Sequence, residues 1–104
     1  MSGNYLNLIG LAMRAGQCTL GEESIIKDIQ KKKAKLVLIA GDTGKQTKKK
    51  LTDKCSFYEI PCYVVDDRDT LSQAIGKAGR VAIAVLDQGF AKKLQSLLDE
   101  SIRG

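Results

Sequence analysis

A chain of 104 residues, 43% of them hydrophobic, is long enough for one domain with a core of its own. It has no apolar run near the ~20 residues of a membrane span and no secretory signal at its start, so we expect a cytoplasmic protein. With no histidine and no Cys-x-x-Cys pair among its three cysteines, zinc sites, disulfide frameworks and histidine-assisted nucleophiles are not expected.

Positive charge is concentrated in one segment of the chain. The formal net charge is +5, yet residues 27–54 hold ten lysines against three aspartates and carry +7, which leaves −2 for the remainder. Such asymmetry is typical of a surface that binds a polyanion. The alternative is that these lysines only form the solvated faces of two helices.

The chain begins with a predicted helix over residues 4–14, where apolar residues recur at helical spacing. Ser2 or Asn4 is its predicted N-cap, because short polar side chains accept from the first free N–H groups. Gly16 follows the helix and is predicted to end it in a left-handed conformation.

A very short strand, residues 18–20, precedes a second predicted helix over residues 21–33. Isoleucines at helical spacing give this helix a buried stripe, and the lysines at its end suit the negative end of its dipole. The next segment, residues 36–40, is a continuous apolar run and predicts a strand covered on both faces.

Thr43 and Gln46 have the spacing of a capping box and predict the start of a third helix, which continues to about residue 57. A proline then interrupts the chain before a strand over residues 62–65. A short helix follows over residues 67–75, with an aspartate at its start to cap it.

Residues 76–80 form a predicted flexible, basic loop with two glycines, and a strand follows over residues 81–86. Asp87 is the predicted cap of a last helix over residues 88–99. Because helices alternate with strands, the sequence predicts an α/β fold, a three-layer α-β-α sandwich around a small mixed four-stranded sheet. No linker or repeat divides it, so residues 1–104 are expected to be a single domain.

Candidate nucleotide motifs fail on spacing. The glycines of residues 41–45 follow a strand but lack the Gly-Lys-Ser/Thr ending of a P-loop, and residues 76–80 precede a strand rather than a helix. The neighbouring carboxylates Glu22-Glu23 and Asp66-Asp67 point about 100° apart on a helix, so they are better explained as favourable charge at helix N-termini. The sequence therefore predicts neither an enzyme nor a cofactor.

Nucleic acid remains the best-supported partner for the lysine-rich segment. If the second and third helices are adjacent, their lysines, the turn at Gly21 and the loop at Gly76 are expected to converge. All five aromatic residues fit the buried pattern: Tyr5, Phe57, Tyr58, Tyr63 and Phe90. A stacking platform for single strands is therefore not predicted, and a structured RNA bound through phosphates and a few base edges fits better.

Several motifs resemble one known family across residues 5 to 98. They are Arg14-Ala15-Gly16, Thr19-Leu20-Gly21, Lys27, Ala34-Lys35-Leu36-Val37-Leu38-Ile39-Ala40 and Leu71-Ser72-Gln73-Ala74-Ile75-Gly76. This order is similar to the ribosomal proteins that bind kink-turn RNA, including large-subunit proteins seven-Ae and thirty-e. Within that family, the chain resembles the small bacterial group of the YlxQ type, and the motif Asp87-Gln88-Gly89-Phe90-Ala91 is also similar to that group.

The resemblance implies RNA binding without catalysis, by a turn that enters the widened groove of a kink-turn beside tandem sheared G·A pairs. A loop before the last strand would cover an extruded base. Cationic side chains would neutralise phosphates, with the ribosome as a possible setting. The RNA-binding residues expected on this chain are Gly21, Glu22, Glu23, Ser24, Lys27, Lys45, Lys48, Gly76, Lys77, Ala78, Gly79 and Arg80.

Two residues of the turn depart from the family pattern. Glu23 stands where the family prefers Asn, and Ser24 stands where it prefers Glu. An ionised Glu only accepts hydrogen bonds, whereas Asn also donates, so a different RNA preference is expected. The alternative function is a protein-interaction adaptor on the same fold that binds no specific RNA.

Overall fold

The computed structural model describes the backbone of residues 2–103 and the side chains of residues 5–100. Five helices alternate with four strands over that part of the chain. In chain order they are α1 (Ser2–Arg14), β1 (Cys18–Leu20), α2 (Glu22–Gln30), β2 (Leu36–Ala40), α3 (Lys45–Phe57), β3 (Cys62–Val65), α4 (Arg68–Ile75), β4 (Ala82–Val85) and α5 (Gln88–Arg103).

The four strands form one mixed sheet in the order β1-β4-β2-β3. β4 is antiparallel to both of its neighbours, with Thr19 opposite Ala84 and Leu38 opposite Ile83, whereas β2 and β3 are parallel. The ends of β1, β2 and β3 therefore lie at the same edge of the sheet as the start of β4. We call this the Gly21 edge, and the other the opposite edge.

Each face of the sheet is covered by helices, which confirms the predicted sandwich. The sequence of β2 is apolar throughout because all five of its residues are fully buried. Leu36, Leu38 and Ala40 belong to the core beneath α1, α4 and α5. Val37 and Ile39 point the other way, into the core beneath α2 and α3.

Three helix starts or ends differ from the sequence prediction by two residues or more. α1 already begins at Ser2, so Asn4 lies within the helix rather than capping it; the side chain of Ser2 lies outside the described residues. α2 ends at Gln30 instead of residue 33, because Lys32 adopts a left-handed backbone with φ of 59°. α5 continues past residue 99 to Arg103, and β4 is confined to Ala82–Val85.

The predicted capping box of α3 is wrong. Gly44 occupies the N-cap position, and no side chain there hydrogen-bonds a free N–H group. Thr43 is buried, and its hydroxyl donates to the Ala40 carbonyl oxygen at 2.6 Å. The threonine therefore closes the turn after β2, because its burial leaves the nearby carbonyl as its best partner.

The other predicted caps are confirmed. Gly16 is left-handed with φ of 73°, and its N–H donates to the Met13 carbonyl at 3.0 Å. Asp67 accepts from the Thr70 N–H at 2.8 Å at the start of α4. Asp87 accepts from the Phe90 N–H at 2.9 Å at the start of α5.

One predicted core aromatic is exposed. The Phe57 side chain, at the end of α3, is 78% accessible and contacts the Tyr58 ring edge-on at a centroid distance of 4.9 Å. Tyr5 is buried as predicted, and its hydroxyl donates to the Asp66 carboxylate. All three cysteines carry free thiols that are buried or half-buried. None of the helices within residues 2–103 has the length and hydropathy of a membrane span.

Candidate nucleic-acid interface

Topology brings three helix starts and one loop together at the Gly21 edge. α2, α3 and α4 each begin just after a strand that ends there, and residues 76–80 lead into β4 at the same edge. The starts of helices carry partial positive charge and free N–H groups. The first turns of α2 and α4 already contain carboxylates, whereas that of α3 contains none, so the start of α3 favours an added anion. The strand order places the 76–80 loop between the turns that follow β1 and β2.

Gly21 forms the sharp turn between β1 and α2. Its φ of 90° and ψ of 132° belong to a backbone region that L side chains rarely adopt, and a Cβ there would meet no atom within 4 Å. Its carbonyl oxygen accepts from the Ile25 N–H at 2.9 Å, which begins the helix. Glycine is therefore required here by the backbone rather than by packing.

Glu22 ties this turn to α3. Its Oε2 lies 3.2 Å from the Lys50 Nζ. Thr47 and then Lys50, both donating to the carboxylate, hold the pKa of Glu22 below its usual range. Because this pKa is lowered, the contacts of the Glu22 carboxylate stabilise the folded state at pH values above the ordinary carboxyl pKa. That stabilisation is lost as the pH falls. Glu22, predicted to bind RNA, is thus already engaged within the protein.

Glu23, Ser24 and Lys27 are exposed on α2. Their spacing of three and four residues places Lys27 one turn beyond the other two on the same side of the helix. None of these three side chains forms an ion pair or hydrogen bond with the side chains described, residues 5–100. The structure therefore leaves all three accessible next to the Gly21 turn.

The 76–80 loop is held at both ends. Gly76 ends α4 in a left-handed conformation, with φ of 70°. At the other end, the backbone N–H of Arg80 donates to the Ser72 hydroxyl at 2.9 Å. Between these points Lys77 and Ala78 are exposed. The predicted basic loop is thus presented on a fixed base formed by α4.

A cleft of about 140 Å³ separates the Gly21 turn, α3 and the 76–80 loop. Gly21 and Glu22 line one side, Thr47 lines another, and Arg80 lines the third. The Nε of Arg80 is buried and has no hydrogen-bond partner among the described residues. Buried polar atoms without a protein partner are uncommon and point to contact with a ligand or water.

The start of α3 adds positive charge to the edge. Lys45 is exposed, and the first turn contains no acidic residue to offset it. The Lys48 ammonium donates to the Gly41 carbonyl oxygen at 3.0 Å, so it also supports the turn after β2. Cations at a helix N-terminus oppose the helix dipole, an arrangement that an incoming anion relieves.

The predicted convergence of the lysines is only half correct. α2 and α3 are adjacent, but both run from the Gly21 edge to the opposite edge. The lysines of α3's first turns lie at the Gly21 edge, whereas Lys31, Lys32, Lys33 and Lys35 lie at the opposite edge, before β2 begins. The charged segment is continuous in sequence and divided in space.

Sequence reasoning missed Thr47 and Lys50 as part of this site. By its spacing Thr47 fits the buried face of α3, and Lys50 is one of many surface lysines. Both contact Glu22, which lies more than twenty residues earlier, so no local pattern signals the contact. Among the described side chains, no group of three His, Cys, Asp or Glu is placed to hold a metal ion.

Comparison with known proteins gives the family. Residues 4–95 match the model of the Ribosomal protein L7Ae/L30e/S12e/Gadd45 family. The chain belongs to that family. The predicted resemblance to ribosomal proteins seven-Ae and thirty-e is thereby confirmed.

Individual members of the L7Ae/L30e family show how far the likeness extends. An RNA-binding protein YlxQ of Bacillus subtilis is 50% identical over 100 residues, covering 95% of this chain and all of that protein. The large ribosomal subunit protein eL30 of Candida albicans is 31% identical, covering 90% and 91%. A solved structure of a Bacillus halodurans protein superposes with a TM-score of 0.89 at 49% identity, covering 91% and 96%.

Proposed function

We propose that this protein binds structured RNA through the Gly21 edge. The observation that carries the proposal is the convergence of the Gly21 turn, the lysines at the start of α3 and the 76–80 loop around one cleft. Support comes from family membership, because relatives at 50% and 31% identity are named as RNA-binding and ribosomal proteins. The adaptor alternative has no comparable support and is not favoured.

Each part of the edge has a distinct role in this proposal. Four exposed or half-buried lysines are positioned to neutralise phosphates, and Arg80, which lines the cleft, adds a fifth cation. The Gly21 turn would meet base edges, since glycine permits close approach of a backbone. The cations assigned to phosphates are Lys27, Lys45, Lys48, Lys77 and Arg80.

We further propose that the RNA is kink-turn-like, that Ala78 and Gly79 close over an unstacked nucleotide, and that the role is non-enzymatic and cytoplasmic. The 76–80 loop suits the closing role because both its ends are fixed while its tip is exposed. Ribosomal RNA is the first candidate, given the ribosomal relatives. These finer assignments rest on the proposed RNA binding.

The test is a pair of labelled RNAs titrated with protein at several salt concentrations. One contains a kink-turn with tandem sheared G·A pairs, and the other replaces those pairs with Watson–Crick pairs. If four or five cations contact phosphates, log affinity should fall against log salt with a slope of about −4. The kink-turn RNA should bind more tightly than the straight one. A flat salt response would contradict the phosphate assignments, and equal affinities would contradict kink-turn preference.

A further inference from the structure

The one aromatic residue that the structure exposes lies at the end of the lysine-rich helix. Phe57 is the last residue of α3, and its side chain is 78% accessible, against 49% for Leu11 and 51% for Val64. These three are the exposed large hydrophobic residues among the side chains described. A single exposed apolar residue is common on protein surfaces. Whether Phe57 marks a binding surface therefore depends on what lies beside it on α3.

A row of side chains connects Phe57 to the Gly21 edge. Spacings of four and three residues place Lys50, Lys54 and Phe57 on the same side of α3. The row begins beside the cleft, because Lys50 contacts Glu22, which lines it. Since a helix rises 1.5 Å per residue, Lys50 and Phe57 are about 10 Å apart along the axis. The row therefore continues the proposed RNA interface toward the opposite edge.

The charge of α3 favours a polyanion along this row. The helix contains five lysines and one aspartate. That aspartate, Asp53, is paired with Lys49 at 3.2 Å, and both side chains are largely exposed. Lys54 is half-buried and takes part in none of the ion pairs among the side chains described, residues 5–100. Its ammonium is thus available to a phosphate, one helical turn before Phe57.

The Phe57 ring is supported on one side and open on another. It contacts the Tyr58 ring at a centroid distance of 4.9 Å and an interplanar angle of 69°, an edge-to-face arrangement. Tyr58 packs against the core beneath α2 and α3, so it is a fixed neighbour. With 78% of the Phe57 side chain accessible, a ring face remains open to stacking. Any nucleic-acid base offers a flat face to such a ring.

We propose that the outer face of α3 binds a single-stranded segment of the RNA, with one base stacked on Phe57 and one phosphate at Lys54. The inference rests on the proposed RNA binding at the Gly21 edge and adds a second RNA element to it. RNA is favoured over an acidic protein segment because the row begins at the cleft. An unpaired strand that leaves the bound RNA there meets lysines first and the aromatic ring last.

The experiment compares a two-stranded kink-turn RNA with four versions, each with a tail of eight adenosines on a different strand end. At about 3.4 Å per nucleotide of stacked strand, three nucleotides cover the row, so the tail is long enough. Binding of the full-length protein is measured by fluorescence anisotropy at about 0.1 M salt. At least one tail should tighten wild-type binding about tenfold, the scale of stacking one base on an aromatic ring. An abasic tail keeps the phosphates and should lose most of that gain.

Substitutions on the protein then test the row. Phe57→Ala should remove the gain from the tail without changing affinity for the untailed RNA, and Phe57→Tyr should retain it. Leu11→Ala is the matched control, because it removes an exposed large side chain from α1, on the other side of the sheet. It should leave the gain intact. Lys54→Ala should reduce the gain about threefold and make the salt slope shallower by about 0.7.

Four results would overturn the inference while leaving RNA binding at the Gly21 edge intact. They are untailed RNA that binds while no tail adds affinity, a gain that persists in Phe57→Ala, a full gain from the abasic tail, or an equal loss in Leu11→Ala. Tails without effect, together with Phe57-dependent binding of a labelled glutamate-rich peptide, would assign this face to a protein instead. Failure of the untailed RNA to bind would overturn the RNA-binding proposal, and this inference with it.

Discussion

The Gly21 edge and the opposite edge of the sheet both carry lysines, but one group lies at the start of a helix and the other at the end of a helix. At the opposite edge, Lys31 and its neighbours follow the end of α2, where positive charge complements the dipole. At the Gly21 edge, Lys45 begins α3 and adds to the positive end of that helix. The first group favours the folded helix, whereas the second is unfavourable until an anion binds.

The difference teaches which part of a charged segment points to function. A lysine run that agrees with helix capping and dipole preferences is sufficiently explained by stability. Lysines that conflict with those preferences, at the same edge as a cleft lined by Arg80, call for a ligand. Net charge alone does not separate the two groups, because they are contiguous in sequence.

The largest effect is expected from removing lysines at one edge only. Lys27, Lys45 and Lys77 replaced together by alanine should weaken RNA binding about 100-fold at about 0.1 M salt and make the salt slope shallower by about 3. The matched variant replaces Lys31, Lys32 and Lys33, which lowers the net charge equally but at the opposite edge. It should weaken binding less than about threefold, because exposed charges beyond a Debye length of about 10 Å are largely screened. Equal losses, measured by fluorescence anisotropy, would mean that binding follows net charge and that the two edges do not differ.

A smaller effect on RNA affinity is expected when alanine replaces either of two glycines, one at each edge. Gly21 and Gly16 both have positive φ, and a Cβ added at either position would meet no atom within 4 Å, so alanine strains only the backbone. Each substitution should lower the free energy of unfolding by about 1–3 kcal/mol, more for Gly21, which lies outside the left-handed helical region. Urea denaturation measures that cost.

Only the alanine at position 21 should also affect RNA. We expect about a tenfold loss of affinity for Gly21→Ala, since the turn positions the cleft and the start of α2, and less than twofold for Gly16→Ala. Should Gly16→Ala weaken RNA binding as much as Gly21→Ala does, loss of affinity would follow stability rather than the geometry of the turn.

Local patterns were sufficient to predict the order of elements, the sandwich and the caps at Asp67 and Asp87, because periodicity and capping depend on neighbouring residues. The failures lie where tertiary contacts decide. Thr43 fits a capping box, but its burial directs the hydroxyl to Ala40. Phe57 fits a core pattern, yet it comes at the last position of α3 and is exposed.

The candidate site shows the same division between local and long-range information. The sequence predicts a glycine turn at Gly21 and a basic loop over residues 76–80, and the family resemblance implies that both bind RNA. The sheet topology places them at one edge. The pairing of Glu22 with Lys50 joins residues 28 positions apart. No spacing rule within a helix predicts such a contact, so the different roles of Glu22 and Glu23 required the structure.

The smallest effect on RNA affinity is expected from substitution of the two aspartates that cap helices, one at each edge. Asp67 begins α4 at the Gly21 edge, and Asp87 begins α5 at the opposite edge. Asn caps a helix about as well as Asp, so Asp67→Asn and Asp87→Asn should each remove a charge with little change in melting temperature.

Removing the Asp67 charge should tighten RNA binding about twofold at low salt, which is the scale expected for a charge roughly 10 Å from a phosphate in water. Asp87→Asn should leave affinity unchanged. The Thr70 N–H holds the pKa of Asp67 below its usual range, so the carboxylate is ionised throughout pH 5 to 8. The twofold difference should therefore stay constant across that window and disappear at high salt. An equal gain from Asp87→Asn would place the RNA away from the Gly21 edge, because the two substitutions differ only in the edge at which the negative charge is lost.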